Sequence, residues 1–216
     1  LLVDCGLGWR QLRQRLARIG LEPEQLDGIF ITHEHGDHVG CVEQVSQRYR
    51  IPVWTSAGTR QAIEKAQALE RVHQATDGVA FAVGGIQILP FTVPHDAREP
   101  LQLGCTDGAR RLTILTDLGH ATPHVLERVQ GSHALLLESN HAPELLAASS
   151  YPAFLKRRIG GALGHLSNPQ AAEILQRVQH SALRHVVAAH LSERNNDPAL
   201  VRDAFARVLG RSLDEI

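Results

Sequence analysis

The segment GIFITHEHGDHVGC, residues 28–41, sets three histidines and two acids within six consecutive positions, directly after an apolar run. Titratable groups are costly beside a core unless they are paired or bound to a cation, so packing alone does not select this pattern. In extended chain, side chains two apart point the same way, which lets His33 and His35 share one ion. Asp37 and His38 lie where the chain begins to coil and can address a second ion. Imidazole and carboxylate suit Zn²⁺, Mn²⁺ or Fe²⁺. H-x-H by itself occurs by chance in surface loops; H-x-H-x-D-H at a strand end is far more specific.

A two-ion site needs further ligands, expected at other strand ends. FTVPHDA brings His95, LTILTDLG brings Asp117 and RHVVAAHLS brings His190, each the first polar interruption after an apolar run. Singly, a satisfied core histidine or a turn-forming Asp explains each of them. Together with the first motif, a shared site explains all of them. An Asp in such a place can bridge two ions with one oxygen on each.

Other residues are candidates for substrate. His165 precedes Asn168-Pro169, where a helix is expected to start, and helix N-termini attract anions. A histidine there can donate to a phosphate oxygen or protonate a leaving group. Asn168 is a candidate phosphate ligand, although capping suits it better. Lys156, Arg157 and Arg158 form a basic run that fits a solvated helix face or a nucleic-acid backbone equally well, and Arg194 is similar. Glu138, Asn140 and His141, at and just after the end of the strand ALLLE, fit a turn, and Asp96 is balanced between a turn and orienting a ligand.

The elements that must position these residues read as follows. LLVD, GIFIT and IPVWTS are strands, and WRQLRQRLARIG is a helix closed by Gly20. VEQVSQRY is the helix after the histidine loop, and a polar helix is expected near residues 57–70. VAFAVGGIQILPFTV and LQLGCTDGARRLTILTD are hairpins turning at Gly84-Gly85 and Asp107-Gly108. HALLLES and LRHVVAAH are buried strands. NPQAAEILQRVQH and DPALVRDAFARVLG open on Asn or Asp before Pro, an N-cap followed by Pro at the first helical position. The alternation predicts an α/β (α+β) chain, two sheets with helices outside, in a single domain over residues 1–216.

With 216 residues and net charge −1, the chain can bury a sizeable core and carries no global basic field. No apolar run reaches the roughly 20 residues of a bilayer span. Cys5, Cys41 and Cys105 are odd in number and lack a C-x-x-C pair, which points to small buried residues and a reducing, cytoplasmic compartment. The sequence has no Met and opens inside a strand, so further residues are expected upstream.

H-x-H-x-D-H followed by a separate His, a separate Asp and a final His resembles the metallo-β-lactamase-fold hydrolases. The resemblance runs from LLVDCG to AAHLSERNN. It implies a four-layer αβ/βα sandwich, normally begun by a β-hairpin that this sequence lacks. It also implies that His33, His35, His95 and Asp117 hold one ion, and that Asp37, His38, Asp117 and His190 hold the other. Asp4 matches the family's early Asp and would orient a ligand. VPHDAREP, TDLGH, LLLESNHAPELL, YPAFLKRRIGGALGHLSN and AAHLSERNN further resemble the YycJ/WalJ-type bacterial proteins, regarded as nucleases on DNA ends. That group usually has Asp after ESNH, where this chain has Ala142; a site role for Glu138, Asn140 and His141 is implied only by this resemblance. His165 occupies the place of the extra His carried by related phosphodiesterases.

The expected activity is metal-assisted phosphodiester hydrolysis of DNA, an exonuclease reaction using a hydroxide bridging two divalent ions (Zn²⁺ or Mn²⁺, with Fe²⁺ also compatible). Asp37 or Asp117 would handle the proton, and His165 would assist from the far side. The rivals are a carbonyl hydrolase of thioesterase or lactamase type, a redox di-iron protein, and a metal-free nucleic-acid-binding scaffold. His35 stands where di-iron members tend to carry an acid, and all seven ligand positions are filled.

Overall fold

Short β–α repeats open the chain in the computed structural model, which describes residues 1–63 and 68–210. Two compact units are present, one of residues 1–92 and 97–101, the other of residues 93–96 and 102–216.

In the first unit, β1 (Leu2–Val3), β2 (Ile29–Phe30), β3 (Val53–Thr55) and β4 (Val72–Gln74) form a parallel sheet in sequence order. Parallel neighbours need crossovers. Helices α1 (Trp9–Arg18), α2 (Gly36–Val39), α3 (Val42–Tyr49) and α4 (Ala57–Ile63) lie in the connections. Leu12 and Leu16 of α1 and Val42 and Val45 of α3 are buried with Ile29, Ile31 and Val53 of the sheet region. This i, i+4 and i, i+3 spacing is the apolar stripe of an amphipathic helix. Gly20, at φ 71°, ends α1: its N–H bonds to the Ala17 carbonyl, and Leu21 N–H bonds to that of Leu16. That is the paired bonding of a Schellman stop. The unit also contains a hairpin, β5 (Phe81–Val83) with β6 (Ile86–Thr92), turning at Gly84-Gly85. The rings of Phe30, Phe81 and Trp54 stack in turn, which fastens the hairpin to β2 and β3.

In the second unit, β7 (Leu101–Thr106) and β8 (Arg111–Leu115) form the expected hairpin, and β8, β9 (Ala134–Glu138) and β10 (His185–Ala189) run parallel. Its helices are α5 (Pro123–Val129), α6 (Pro143–Ala148), α7 (Ala153–Ile159), α8 (Asn168–Val178) and α9 (Pro198–Leu209). Leu135 and Leu137 of β9, Ile174 and Leu175 of α8, and Phe205 of α9 are buried.

Four expectations change. β10, read from LRHVVAAH as a buried strand, is only partly buried, and its Val187 is exposed. The helix expected near 57–70 covers 57–63; residues 64–67 lie outside the described residues, and 68–70 are not helical. The cap of α8 is Ser167, one residue earlier than expected, because Ser167 and Gln170 form a reciprocal capping box. β4 was not anticipated: it is three residues long, and its Val72 is only half-buried, which leaves no alternating pattern to read.

Candidate metal centre

Three non-glycine residues of left-handed backbone follow strands. Asp4 (φ 59°) comes after β1, Asp117 (φ 52°) just beyond β8, and His190 (φ 55°) after β10. Asp and His tolerate this region better than most residues, but it costs about 1–3 kcal/mol and persists only where surroundings impose it. At each place the strained residue is one that the sequence had marked.

In the first unit Asp4 organises the histidine loop. Its Oδ1 accepts from the backbone N–H of Thr32 at 2.8 Å and its Oδ2 from His38 Nδ1 at 2.7 Å. A carboxylate only accepts, so the His38 proton sits on Nδ1 and the lone pair on Nε2, which lies 3.6 Å from Asp37 Oδ2. The Thr32 hydroxyl donates to Asp4 and lies 3.0 Å from His33 Nδ1. That arrangement makes Nε2 the basic nitrogen of His33 as well, and it lies 3.0 Å from His35 Nδ1. His33 is fully buried, whereas the Asp37 side chain is 69% exposed. Glu34, the acid of the motif with no assigned role, accepts from Arg98 N–H and the Thr59 hydroxyl and so clamps the loop. Backbone bonds Cys5 N–H to His38 O and Cys41 N–H to Cys5 O hold the loop against the end of β1. Gly6 makes that approach possible, since a Cβ there would sit 1.5 Å from the Asp37 carbonyl oxygen.

In the second unit the centre is Glu138, the last residue of β9, with no exposed surface. Its Oε1 accepts from His165 Nδ1 and His190 Nδ1, both at 2.8 Å. Its Oε2 accepts from the N–H groups of Leu166 (3.0 Å) and Leu118 (3.3 Å). Burial alone would raise this carboxyl's pKa, but the two imidazole hydrogen bonds outweigh it, and the group is held below the ordinary carboxylate range. Both histidines therefore carry a proton on Nδ1 and present Nε2. The buried Asp117 places Oδ1 3.4 Å from His190 Nδ1 and 3.7 Å from His165 Nδ1. His95, also buried, donates Nδ1–H to the Gly164 carbonyl, and its Nε2 lies 4.0 Å from Asp117 Oδ1. Burial lowers the His95 pKa, which favours the neutral ring that a cation needs.

Asp117, Glu138, His165 and His190 bring ligand-type atoms within 4.8 Å of one another. The Asp117 carboxylate and imidazole Nε2 atoms are donors that suit a divalent ion, whereas Glu138 is engaged by the two Nδ1–H groups. Of the six candidate histidines, three in each unit, four have Nδ1 fixed by a carboxylate or a carbonyl, and His33 has it beside a hydroxyl, as metal-binding imidazoles usually do. The sequence had left Glu138 between a turn and a site role. Its signal, an acid ending an apolar strand, equals that of Asp117.

The candidate substrate residues sit differently. The Asn168 amide is buried and bonded to the Ser139 hydroxyl and to Asn196. His141 is buried; its Nδ1 has no hydrogen-bond partner among the described residues, and burial lowers its pKa. Lys156 Nζ donates to the Ala147 carbonyl, and Arg158 Nε donates to Asp96 Oδ2 at 2.5 Å. Asp96 Oδ1 in turn lies 3.5 Å from His95 Nε2, so Arg158 braces a carboxylate beside a candidate ligand. Arg157 is exposed and in no ion pair among the described residues.

Comparison with known proteins bears on this geometry. A family model described as a beta-lactamase superfamily domain matches residues 1–191. The chain belongs to the beta-lactamase superfamily. It is 35% identical to exodeoxyribonuclease WalJ of Streptococcus pneumoniae, over 98% of this chain and 81% of that protein. It is 32% identical to exodeoxyribonuclease YycJ of Bacillus anthracis, over 97% of this chain and 80% of that one. Among solved structures, the metallo-beta-lactamase fold protein YhfI of Bacillus subtilis superposes with TM-score 0.73 at 16% identity, covering 97% of this chain and 80% of that one. The mixed α/β architecture with two sheets is thus the metallo-β-lactamase fold. Among the described residues, no helix is long and apolar enough to cross a membrane.

Proposed function

We propose that this chain is a metal-dependent exonuclease that hydrolyses phosphodiester bonds at DNA ends. The observation that carries the reading is the Glu138 anchor. One buried carboxylate fixes a candidate metal ligand, His190, and a candidate acid, His165, in a chain whose superfamily relatives at 32–35% identity are named exodeoxyribonucleases. The ligand set is His33, His35, Asp37, His38, His95, Asp117 and His190, with Asp4 orienting His38. When bound, the two divalent ions would supply an activated water and offset charge growing on the phosphoryl oxygens. The nitrogen and oxygen donors accept Zn²⁺ or Mn²⁺, and Fe²⁺ is also compatible.

The remaining work falls to the chain. Asp37 is the exposed carboxylate of the loop and would take up the proton of the attacking water, with Asp117 as the buried counterpart that holds it in place. His165, only 22% exposed, keeps Nδ1–H on Glu138, so its Nε2 is the atom that carries a proton to the leaving oxygen. Arg157, with Lys156 and Arg158 behind it, would meet the backbone of the strand. His141 and Asn168, both buried, would shape the site wall rather than grip substrate from solvent. Three free cysteines accord with a reducing, cytoplasmic setting.

Elemental analysis of the purified protein, followed by turnover on 5′-phosphorylated duplex and single-stranded DNA with a thioester alongside, tests the reading. Bound divalent metal with DNA turnover is expected. Asp117→Ala is expected to lose both metal and activity, whereas His165→Ala keeps metal and loses turnover. Full rate in His165→Ala would remove that residue from the mechanism, and thioester hydrolysis without DNA hydrolysis would replace the nuclease by a carbonyl hydrolase.

A further inference from the structure

We infer that the exposed face formed by α1 and the end of α3 binds the sugar-phosphate backbone of the nucleic-acid strand, a reading that rests on the proposed DNA substrate. Helix α1, WRQLRQRLAR, carries Arg10, Arg13, Arg15 and Arg18 and no acid in ten residues. Arg48 and Arg50 add two more cations at the end of α3. All six arginines are exposed, and among the described residues none is in an ion pair with a carboxylate. They amount to six of the 22 Lys and Arg residues in a chain whose net charge is −1.

The arrangement is ordered around aromatic rings. The guanidinium carbons of Arg13 and Arg48 lie 5.7 and 6.0 Å from the centroid of the Trp9 ring. Arg48 also lies 5.6 Å from the Tyr49 ring, and the two rings are 5.5 Å apart. Cation–π contact accounts for one guanidinium on an indole. It does not account for two like charges gathered on one ring with neither in an ion pair to a carboxylate among the described residues. A phosphodiester supplies the missing charge, and half-buried aromatic faces supply the stacking surface that single strands use.

Chain length limits where this face can act. Trp9 is five residues beyond Asp4, so their Cα atoms are at most about 18 Å apart. At about 3.4 Å per nucleotide along a strand of duplex, that reach corresponds to phosphates up to about five nucleotides from the reacting end.

The test is fluorescence anisotropy of the metal-loaded protein with a 20-nucleotide phosphorothioate strand and its duplex, over a salt series. Arg13→Glu/Arg48→Glu is compared with Arg177→Glu/Arg207→Glu, a charge-matched reversal of exposed arginines in the other unit. The first pair is expected to weaken binding at least tenfold and to lower the slope of log affinity against log salt by about 2 on duplex. The second pair is expected to leave both as in the wild type. Equal losses in the two pairs, or no loss in the first, overturn the inference. Arg13→Gln/Arg48→Gln, which adds no negative charge, carries the same reading should the reversal misfold by circular dichroism. Hydrolysis of bis(p-nitrophenyl) phosphate by the wild type separates the two ideas. No hydrolysis but Arg13- and Arg48-dependent DNA binding would sink the nuclease and keep the face. Hydrolysis without DNA binding would overturn the face and the DNA substrate together and leave only the phosphodiesterase chemistry.

Discussion

Replacing Glu138 by Gln isolates the electrostatics of the second unit's anchor, because the side chain keeps its shape. The wild-type carboxylate receives four donors: His165 Nδ1, His190 Nδ1, Leu166 N–H and Leu118 N–H. A carboxamide offers one oxygen, so in either orientation its NH₂ faces two of those donors. Each buried donor left unsatisfied costs about 1–3 kcal/mol, which gives about 2–6 kcal/mol against a typical stability of about 5–15 kcal/mol. At about 2–4 °C per kcal/mol for a chain of this size, Tm should fall by at least about 4 °C. The imidazoles can escape only by moving their proton to Nε2, which removes the lone pair that His190 needs for a cation. Metal affinity should therefore drop about 10- to 100-fold. Thermal denaturation and elemental analysis of Glu138→Gln read both effects. The Glu138 contribution is present above the unfolded carboxyl value of about 4.3 and is lost as pH falls through the lowered folded value, so the gap to the variant should close in acid. A variant with the wild-type Tm and full metal content would refute the reasoning.

Asp4→Asn keeps one acceptor for Thr32 but turns an amide donor toward His38 Nδ1 or the Thr32 donors; metal affinity should fall about 10- to 100-fold, as measured by competition with a chelator. Gly6→Ala places a Cβ 1.5 Å from the Asp37 carbonyl oxygen, so the histidine loop must shift; metal loss or misfolding is expected, and a fully loaded, stable variant would contradict the close approach. Burial keeps His141 neutral in the fold while the unfolded chain binds a proton near pH 6.5. Its contribution is thus complete above that value and is lost as pH falls through the lowered folded pKa. Tm measured from pH 8 to 5 should fall less steeply in His141→Asn than in the wild type, and identical profiles would rule the burial effect out.

Ligand candidates were legible because chemistry and secondary structure coincide in them: HEHGDH at a strand end, then His95, Asp117 and His190 each breaking an apolar run. The hairpins at Gly84-Gly85 and Asp107-Gly108, and the caps Gly20 and Asp197, are local signals whose physics lies within a few residues. What the sequence left open depends on partners far along the chain. Glu138 could be a turn residue until β9 and β10 pair in register and carry it to two imidazoles, 27 and 52 positions away. Asn168 and Arg158 looked available for substrate, yet Asn196 and Asp96 engage them from distant segments. Which nitrogen of an imidazole holds the proton, and whether an arginine has a carboxylate, are set by neighbours in space, and tertiary structure alone decides those neighbours.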